Sequence, residues 1–582
     1  MRKRLLLHGE KVCGGIGVGQ LFFIDRKYLQ IPHINIAENE IESEIRRFCK
    51  AVNKAAAELE EFLSKKNLES ETASILEAHK MMISDPTVSD MVKNMISETK
   101  INAEWAVLGV FDKLVSVLEA NNADYYVKAK ISDWEIIRDK LIAELTGDTI
   151  SVPNRLPEND FIVCSKNLTV EELHVLSKNP HIKGIVLESP GGVSHLTMVL
   201  KSLEIPAVMG INDLVFSLDY GDMLIVDGFK GEVILRPSKE EIDSSLLKAE
   251  NFKSYFARFL ENVDSPSVSK DGFQLEVGGN IDQIGEVDFV KRYGGEFIGL
   301  FRTELMFSKN GEIPSENAHY DVYYQMLHRA LPLRTTIRIF DFGEDKQGAI
   351  TTKGFMGIRG IRLCRERPDV FIPQIKGLIR AAKLGNLNIL LPFVSTVDEI
   401  EDFKELLFKT AAGLGLSENL KQTKIGAMIE VPASVFIVEK IAEEVDFLSI
   451  GTNDLIQYLM AVERKNQFSS DYFSYYHPAV IRVINHIVTV AKTRNCPVTI
   501  CGEMASDAYL PLLFLSMGIN SLSMNPTSIP IIKKIIKCGY LSEGKEIFNQ
   551  IMSAKEKKEV MSIIKQSMTD KYPNIFKREW NY

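Results

Sequence analysis

Apolar and polar positions change rhythm several times along the chain. From Ile36 to Asp148 Gly and Pro nearly vanish, and apolar residues recur at helical spacing in EIESEIRRFCKAVNKAAAELEEFLSKK, ASILEAHKMMISDP and NAEWAVLGVFDKLVSVLEANNADYY. This predicts an all-helical segment over 36–148. On either side the texture is different: CGGIGVGQLFFID before it, and FIVC, KGIVLES and GDMLIVDGFKGEVIL after it, read as short strands broken by Gly turns. The helices are therefore expected as an insertion in one α/β domain made of residues 1–35 and 149–237. After Pro237, SKEEIDSSLLKAENFKSYFARFLENV patterns as one long amphipathic helix, the expected connector over 238–265.

The remaining chain, 266–582, carries eight short apolar runs: FQLEVGG, FIGLF, TTIRIFD, NILLPF, KIGAMIE, DFLSIG, PVTICGE and SLSM. They recur roughly once per 30 residues, the economy of a closed (β/α)8 TIM barrel, with a large open sheet as the competing arrangement. The predicted fold class is thus multidomain α/β, with a helical insert in the first α/β domain and a C-terminal barrel.

Composition sharpens this picture. A chain of 582 residues exceeds a single core. A net charge of −9 gives no general attraction for nucleic acid or anionic lipid, so neither is an expected partner. Within 36–148 there are 14 Lys+Arg against 22 Asp+Glu, a net of −8, so nearly all the excess negative charge lies in the helical segment. Seven cysteines without a CxxC pair suit a reducing, cytoplasmic setting rather than a disulfide framework. MRKRLLLHGEK has too short an apolar run for an export signal, and the uncharged stretch Ala508–Ile532 holds three prolines, which argues against a membrane span.

In a barrel of this kind chemistry gathers beyond the C-terminal ends of the strands. Arg302 and Glu304 follow the second run, Arg338 and Asp341 belong to the third, and Glu430 ends the fifth. Asn453 and Asp454 follow the sixth, Cys501 and Glu503 close the seventh, and Asn525 follows the eighth. Each alone fits a structural ion pair or a strand cap; their joint placement points to one polar mouth. Glu430 and Asp454 offer hard oxygen ligands suited to Mg²⁺. Arg302, Arg338 and Arg464 supply forked donors for phosphate and carboxylate, predicting a small, doubly anionic, phosphorylated substrate. Cys501 reads either as a buried small hydrophobe or as a proton donor to carbon. A second candidate site is SPGGVSHLTMVLKSLEIPAVMG, where Gly191, Gly192, Ser194 and His195 open a predicted helix whose positive end suits a phosphohistidine. A histidine that merely caps the helix fits the same local pattern.

The ordered stretches GGVSHLTMVLKSLEIPAV, FIGLFRTELMF, IRIFDFGEDK, GIRGIRLC, IGAMIEVPA, DFLSIGTNDLIQYLMAVER and CGEMA resemble the motif set of enzyme I, the phosphoenolpyruvate-protein phosphotransferase of the bacterial sugar phosphotransferase system. The resemblance spans the whole chain. Pyruvate phosphate dikinase and phosphoenolpyruvate synthase share the histidine domain and barrel but need an additional ATP-binding module for which this chain has no room.

The resemblance implies that His195 accepts the phosphoryl group, that Arg302, Arg338, Asn453, Asp454 and Arg464 bind phosphoenolpyruvate, and that Glu430 and Asp454 hold Mg²⁺. It further implies that Cys501 protonates the enolate of pyruvate, that 36–148 docks the phosphocarrier HPr, and that the barrel forms a homodimer. The chain departs from the family pattern in places. GGRTSH is replaced by Gly191-Gly192-Val193-Ser194-His195, a later Arg by Lys201, GGDK by Gly343-Glu344-Asp345-Lys346, an Asn-Pro pair by Lys353-Gly354, and a frequent Met by Phe393. The altered loop at Gly192 and Val193 alone raises a second reading, a catalytically weakened relative that regulates by binding HPr or phosphoenolpyruvate.

Overall fold

The computed structural model describes residues 4–24, 33–64, 70–120, 125–147, 156–188, 200, 205–211, 221–304, 314–341, 357–463 and 472–576. Two compact units emerge, one from residues up to 256 and one from 257 onward.

In the first unit eight strands form one sheet: β1 (Leu5–His8), β2 (Glu10–Cys13), β3 (Ile16–Ile24), β4 (Phe161–Ser165), β5 (Ile182–Leu187), β6 (Ala207–Met209), β7 (Met223–Asp227) and β8 (Glu232–Leu235), in the order β1-β8-β7-β3-β4-β5-β6-β2. The longest, β3, lies parallel to β4 and antiparallel to β7. Its glycines serve close approach rather than a loop: a Cβ on Gly17 would stand 1.9 Å from the Lys183 carbonyl oxygen. Between β3 and β4 the chain leaves the sheet for five helices, Ile41–Ser64, Ser70–Ile83, Pro86–Thr99, Ala103–Ala120 and Tyr125–Thr146. Phe48, Ala51, Ala55 and Leu59 occupy the buried stripe of the first of these, as the helical period requires. They share one apolar cluster with residues of β4 and β5, among them Phe161, Val163 and Ile185. The Lys239–Leu260 helix forms where the amphipathic pattern places it.

In the second unit eight parallel strands close on themselves: β9 (Glu276–Ile281), β10 (Ile298–Phe301), β11 (Thr335–Arg338), β12 (Leu387–Leu391), β13 (Lys424–Ile429), β14 (Phe447–Gly451), β15 (Val498–Cys501) and β16 (Ser521–Met524). Pairing of β16 with β9, from Ser521↔Glu276 to Met524↔Gly279, seals the barrel and excludes the open sheet. Four strands end sooner than the apolar runs suggest: β12 stops two residues before Phe393 and β15 two before Glu503, and β11 and β13 also fall short. Asp341 lies three residues past β11 and Glu430 one past β13. The reason at β11 is that the amides of Phe340 and Asp341 donate to the side chains of Gln374 and Glu304 instead of to a neighbouring strand. Among the described residues no helix is long and apolar enough to cross a membrane.

Candidate functional site

The C-terminal ends of the barrel strands bring three carboxylates together. Asp341 beyond β11, Glu430 directly after β13 and Asp454 in the first turn of the Thr452–Met460 helix each present an oxygen, and the three lie within 4.8 Å of one another. Gly451 makes room for this meeting, since a Cβ there would stand 2.7 Å from Glu430 Oε2. Glu430 is buried and accepts a hydrogen bond from the Phe393 amide at 2.7 Å. Burial, followed by the negative charges of Asp454 and Asp341, pushes its carboxyl up to about 8. A cluster of hard oxygen donors in which one acid resists ionisation beside the others fits a divalent cation, which would neutralise the mutual repulsion.

Two guanidinium groups border the carboxylates. Arg359 forms a fork with Asp341, Nε to Oδ1 at 2.8 Å and Nη2 to Oδ2 at 2.6 Å, and reaches Asp454 Oδ2 at 3.4 Å. Its guanidinium lies 4.9 Å from the ring centre of Phe393. Arg338, on β11, bonds Glu304 Oε1 at 3.1 Å and stands 3.3 Å from Asp341 Oδ2. Its Nε is buried and meets no partner among the described residues. A desolvated donor without an acceptor is costly, and an anionic ligand oxygen would satisfy it. Arg302 follows β10 and pairs with Asp282 at 2.9 Å while remaining partly exposed.

Cys501, the last residue of β15, is buried beside Leu300, Leu390 and Met428. Its sulfur accepts from Ser449 Oγ at 3.0 Å and donates to the Ile450 carbonyl at 3.3 Å. Burial pushes the thiol up to about 11, so at neutral pH it is an acid rather than a nucleophile. Next to it, Asn453 Oδ1 accepts the Glu503 amide at 3.3 Å. Asn525 directly follows β16, as expected, and uses Oδ1 to cap the Pro526–Ser528 turn through the Thr527 amide.

Of the residues singled out from the sequence, Arg302, Arg338, Glu430, Asn453, Asp454 and Cys501 fall within the described barrel at its strand ends. His195 with Gly191, Gly192, Val193 and Ser194, and also Lys201, Gly343–Lys346, Lys353–Gly354 and Arg464, lie outside the described residues. Two participants were not given roles by sequence reasoning. Asp341 was noted as a strand-end residue but not grouped with the carboxylates of Glu430 and Asp454, and Arg359 sits in GIRGIRLC, where an arginine between glycines in a strand-to-helix loop was the available signal.

Three family descriptions match the chain: PEP-utilising enzyme, N-terminal, at residues 8–130; PEP-utilising enzyme, mobile domain, at 157–231; and PEP-utilising enzyme, PEP-binding domain, at 257–539. A phosphoenolpyruvate-protein phosphotransferase of Bacillus subtilis (strain 168) is 32% identical over 573 residues, covering 96% of this chain and 99% of the relative. One from Priestia megaterium is 31% identical with the same coverage. A solution structure of Enzyme I (nEIt) is 32% identical, covers 42% of this chain and 99% of that one, and superposes with a TM-score of 0.35.

Proposed function

The chain belongs to the phosphoenolpyruvate-protein phosphotransferase family, and from that premise we propose that it moves the phosphoryl group of phosphoenolpyruvate to His195 and then to a histidine of an HPr-like carrier, opening a sugar phosphotransferase pathway. The observation that carries the barrel's part is the convergence of Asp341, Glu430 and Asp454 beside the unsatisfied Nε of Arg338. That arrangement asks for a cation and an anion together, as a metal-bound phosphate ester provides.

Glu430 and Asp454, with Asp341 as a third ligand, would hold Mg²⁺. When bound, Mg²⁺ supplies charge neutralisation for the transferring phosphoryl group. Arg302, Arg338, Asn453, Asp454 and Arg464 bind and orient phosphoenolpyruvate, so that catalysis is largely positioning and charge stabilisation. Transfer breaks the bond between phosphorus and the enol oxygen and forms one from phosphorus to a nitrogen of His195, leaving the enolate of pyruvate. The Cys501 thiol then gives its proton to the enolate carbon, and the Ser449 hydroxyl stabilises the resulting thiolate.

In this reading 1–35 with 149–237 forms the phosphohistidine domain, 36–148 docks HPr, 238–265 connects, and 266–582 binds phosphoenolpyruvate and joins two copies in a cytoplasmic homodimer. The alternative of a regulator without turnover is disfavoured by Glu430, Asp454, Arg338 and Cys501, which together retain the chemistry of a working barrel. Incubation with phosphoenolpyruvate, Mg²⁺ and HPr tests the proposal. Pyruvate and phospho-HPr should appear in equal amounts, and the reaction should stop when the metal is chelated. Phosphoenolpyruvate binding without pyruvate formation would favour the regulator.

A further inference from the structure

Behind the polar mouth lies a buried amide that the reaction as described does not use. Gln374 sits on the Pro368–Ala381 helix and is the one polar side chain among that helix's buried residues. Its Oε1 accepts from the Phe340 amide at 3.1 Å. Its Nε2 donates to Thr303 Oγ1 at 3.2 Å and to Tyr323 Oη at 2.9 Å. Thr303 Oγ1 in turn donates to the Arg338 carbonyl at 2.9 Å. Both amide hydrogens and the oxygen are therefore engaged, which is the condition for keeping so polar a group in a core.

The position of these bonds matters more than their number. The backbone ladder between β10 and β11 ends at Phe301↔Ile337. Beyond it the chain carries Arg302, Thr303 and Glu304 on one side and Arg338 through Asp341 on the other. Gln374 takes over there, bonding Thr303 on the first exit and the amide of Phe340, the residue before Asp341, on the second. Glu304 completes the brace by accepting from both the Asp341 amide and the Arg338 guanidinium. A side chain on a helix outside the strands thus bonds both exits, the one that carries Glu304 and the one that carries Asp341.

We propose that Gln374 is a positioning residue, fixing Arg338 and Asp341 in the geometry that the phosphate ester and its metal ion require. The proposal rests on the phosphoenolpyruvate reading of this site. Groups that orient metal ligands from behind typically alter metal affinity or activity by about 10-fold or more when removed. Gln374→Leu fills nearly the same volume but strands the Phe340 amide and releases Thr303. Tyr323→Phe removes the third arm alone, the one that leads away from the site to His319.

The full chain, freed of metal, is titrated with Mn²⁺ as the probe, and steady-state rates are measured with phosphoenolpyruvate. Gln374→Leu should weaken Mn²⁺ binding and raise the KM for phosphoenolpyruvate, each by about 10-fold or more, while Tyr323→Phe shifts both by less than about twofold. A purely structural amide would make the two variants alike. Thr303→Val cuts the same brace from the strand side and serves if Gln374→Leu does not fold; the same shifts are expected. Wild-type turnover decides the function separately. Mn²⁺ affinity and KM unmoved in Gln374→Leu, or in Thr303→Val, would overturn the positioning role even where the wild type is fully active.

Discussion

The amide of Phe393 donates to Glu430 Oε1 at 2.7 Å, and Phe393 makes this bond from a left-handed backbone conformation, φ 61°, that side chains seldom adopt. Such a residue persists only where its surroundings hold it. Its ring here lies beneath the guanidinium groups of Arg359 and Arg362, at 4.9 and 4.8 Å from the ring centre. One residue therefore places a carboxylate with its backbone and an arginine with its side chain.

This arrangement separates binding from folding at Glu430. Glu430→Gln keeps an acceptor for the Phe393 amide but removes the charge that a metal needs. Phosphoryl transfer should fall by about 10²-fold or more, with the melting temperature unchanged or raised. The stability effect follows from the carboxyl being pushed up to about 8. The native state holds that proton more tightly than the unfolded chain between pH 4.5 and about 8, so ionisation costs stability as pH rises through that window. Thermal melts of metal-free wild type and variant at pH 5 and pH 8.5 check this: the difference between them should widen at the higher pH in favour of Gln.

His319 gives the opposite sign. Burial depresses it from 6.5 to about 4, and its Nε2 meets no partner among the described residues. The unfolded chain takes up a proton that the native state refuses, so this contribution to stability is complete above pH 6.5 and is lost as pH falls toward 4, by at most about 1.4 kcal/mol per pH unit. His319→Phe keeps the ring contacts with Tyr323 and Phe340 and should flatten that acid slope. Urea unfolding at pH 7 and pH 5 measures it.

Cys501 should behave as an acid. With its thiol pushed up to about 11, alkylation should remain slow through neutral pH and accelerate only toward the alkaline end. Cys501→Ala should lower pyruvate formation by about 10²-fold while sparing Mn²⁺ binding. Equal losses in both would assign the residue to packing instead.

The helical segment offers a fourth test. If it folds without the helices that share its apolar cluster, a chain lacking residues 36–148 should still take phosphate from phosphoenolpyruvate but fail to pass it to HPr. In the intact chain the HPr step should slow with added salt, because the net charge of −8 over those residues steers a complementary partner. HPr phosphorylation by the shortened chain at the rate of the intact one would reject the docking role.

Much of the barrel was legible because several parallel strands are short, largely apolar runs followed immediately by polar residues, as at IGAMIE ending on Glu430 and DFLSIG leading to Asn453 and Asp454. The helices of 36–148 announced themselves by period. What stayed hidden came from long-range geometry. Arg359 is 95 positions from Asp454 in the chain, yet reaches its carboxylate. Gln374 looks like any polar residue of an amphipathic helix until the strand exits it braces are seen together. The capping role of Asn525 also stayed hidden, since a strand-end asparagine with or without a cap bond reads the same in sequence.

The claim that joins both halves of the chain is that phosphate passes to His195. The most direct measurement is incubation of wild type and His195→Ala with phosphoenolpyruvate carrying labelled phosphate and Mg²⁺, followed by separation of protein-bound label after acid and after alkali. Wild type should carry about one acid-labile, base-stable label per chain and His195→Ala none, with Mn²⁺ binding to the barrel preserved in both. The same label persisting in His195→Ala would contradict the account.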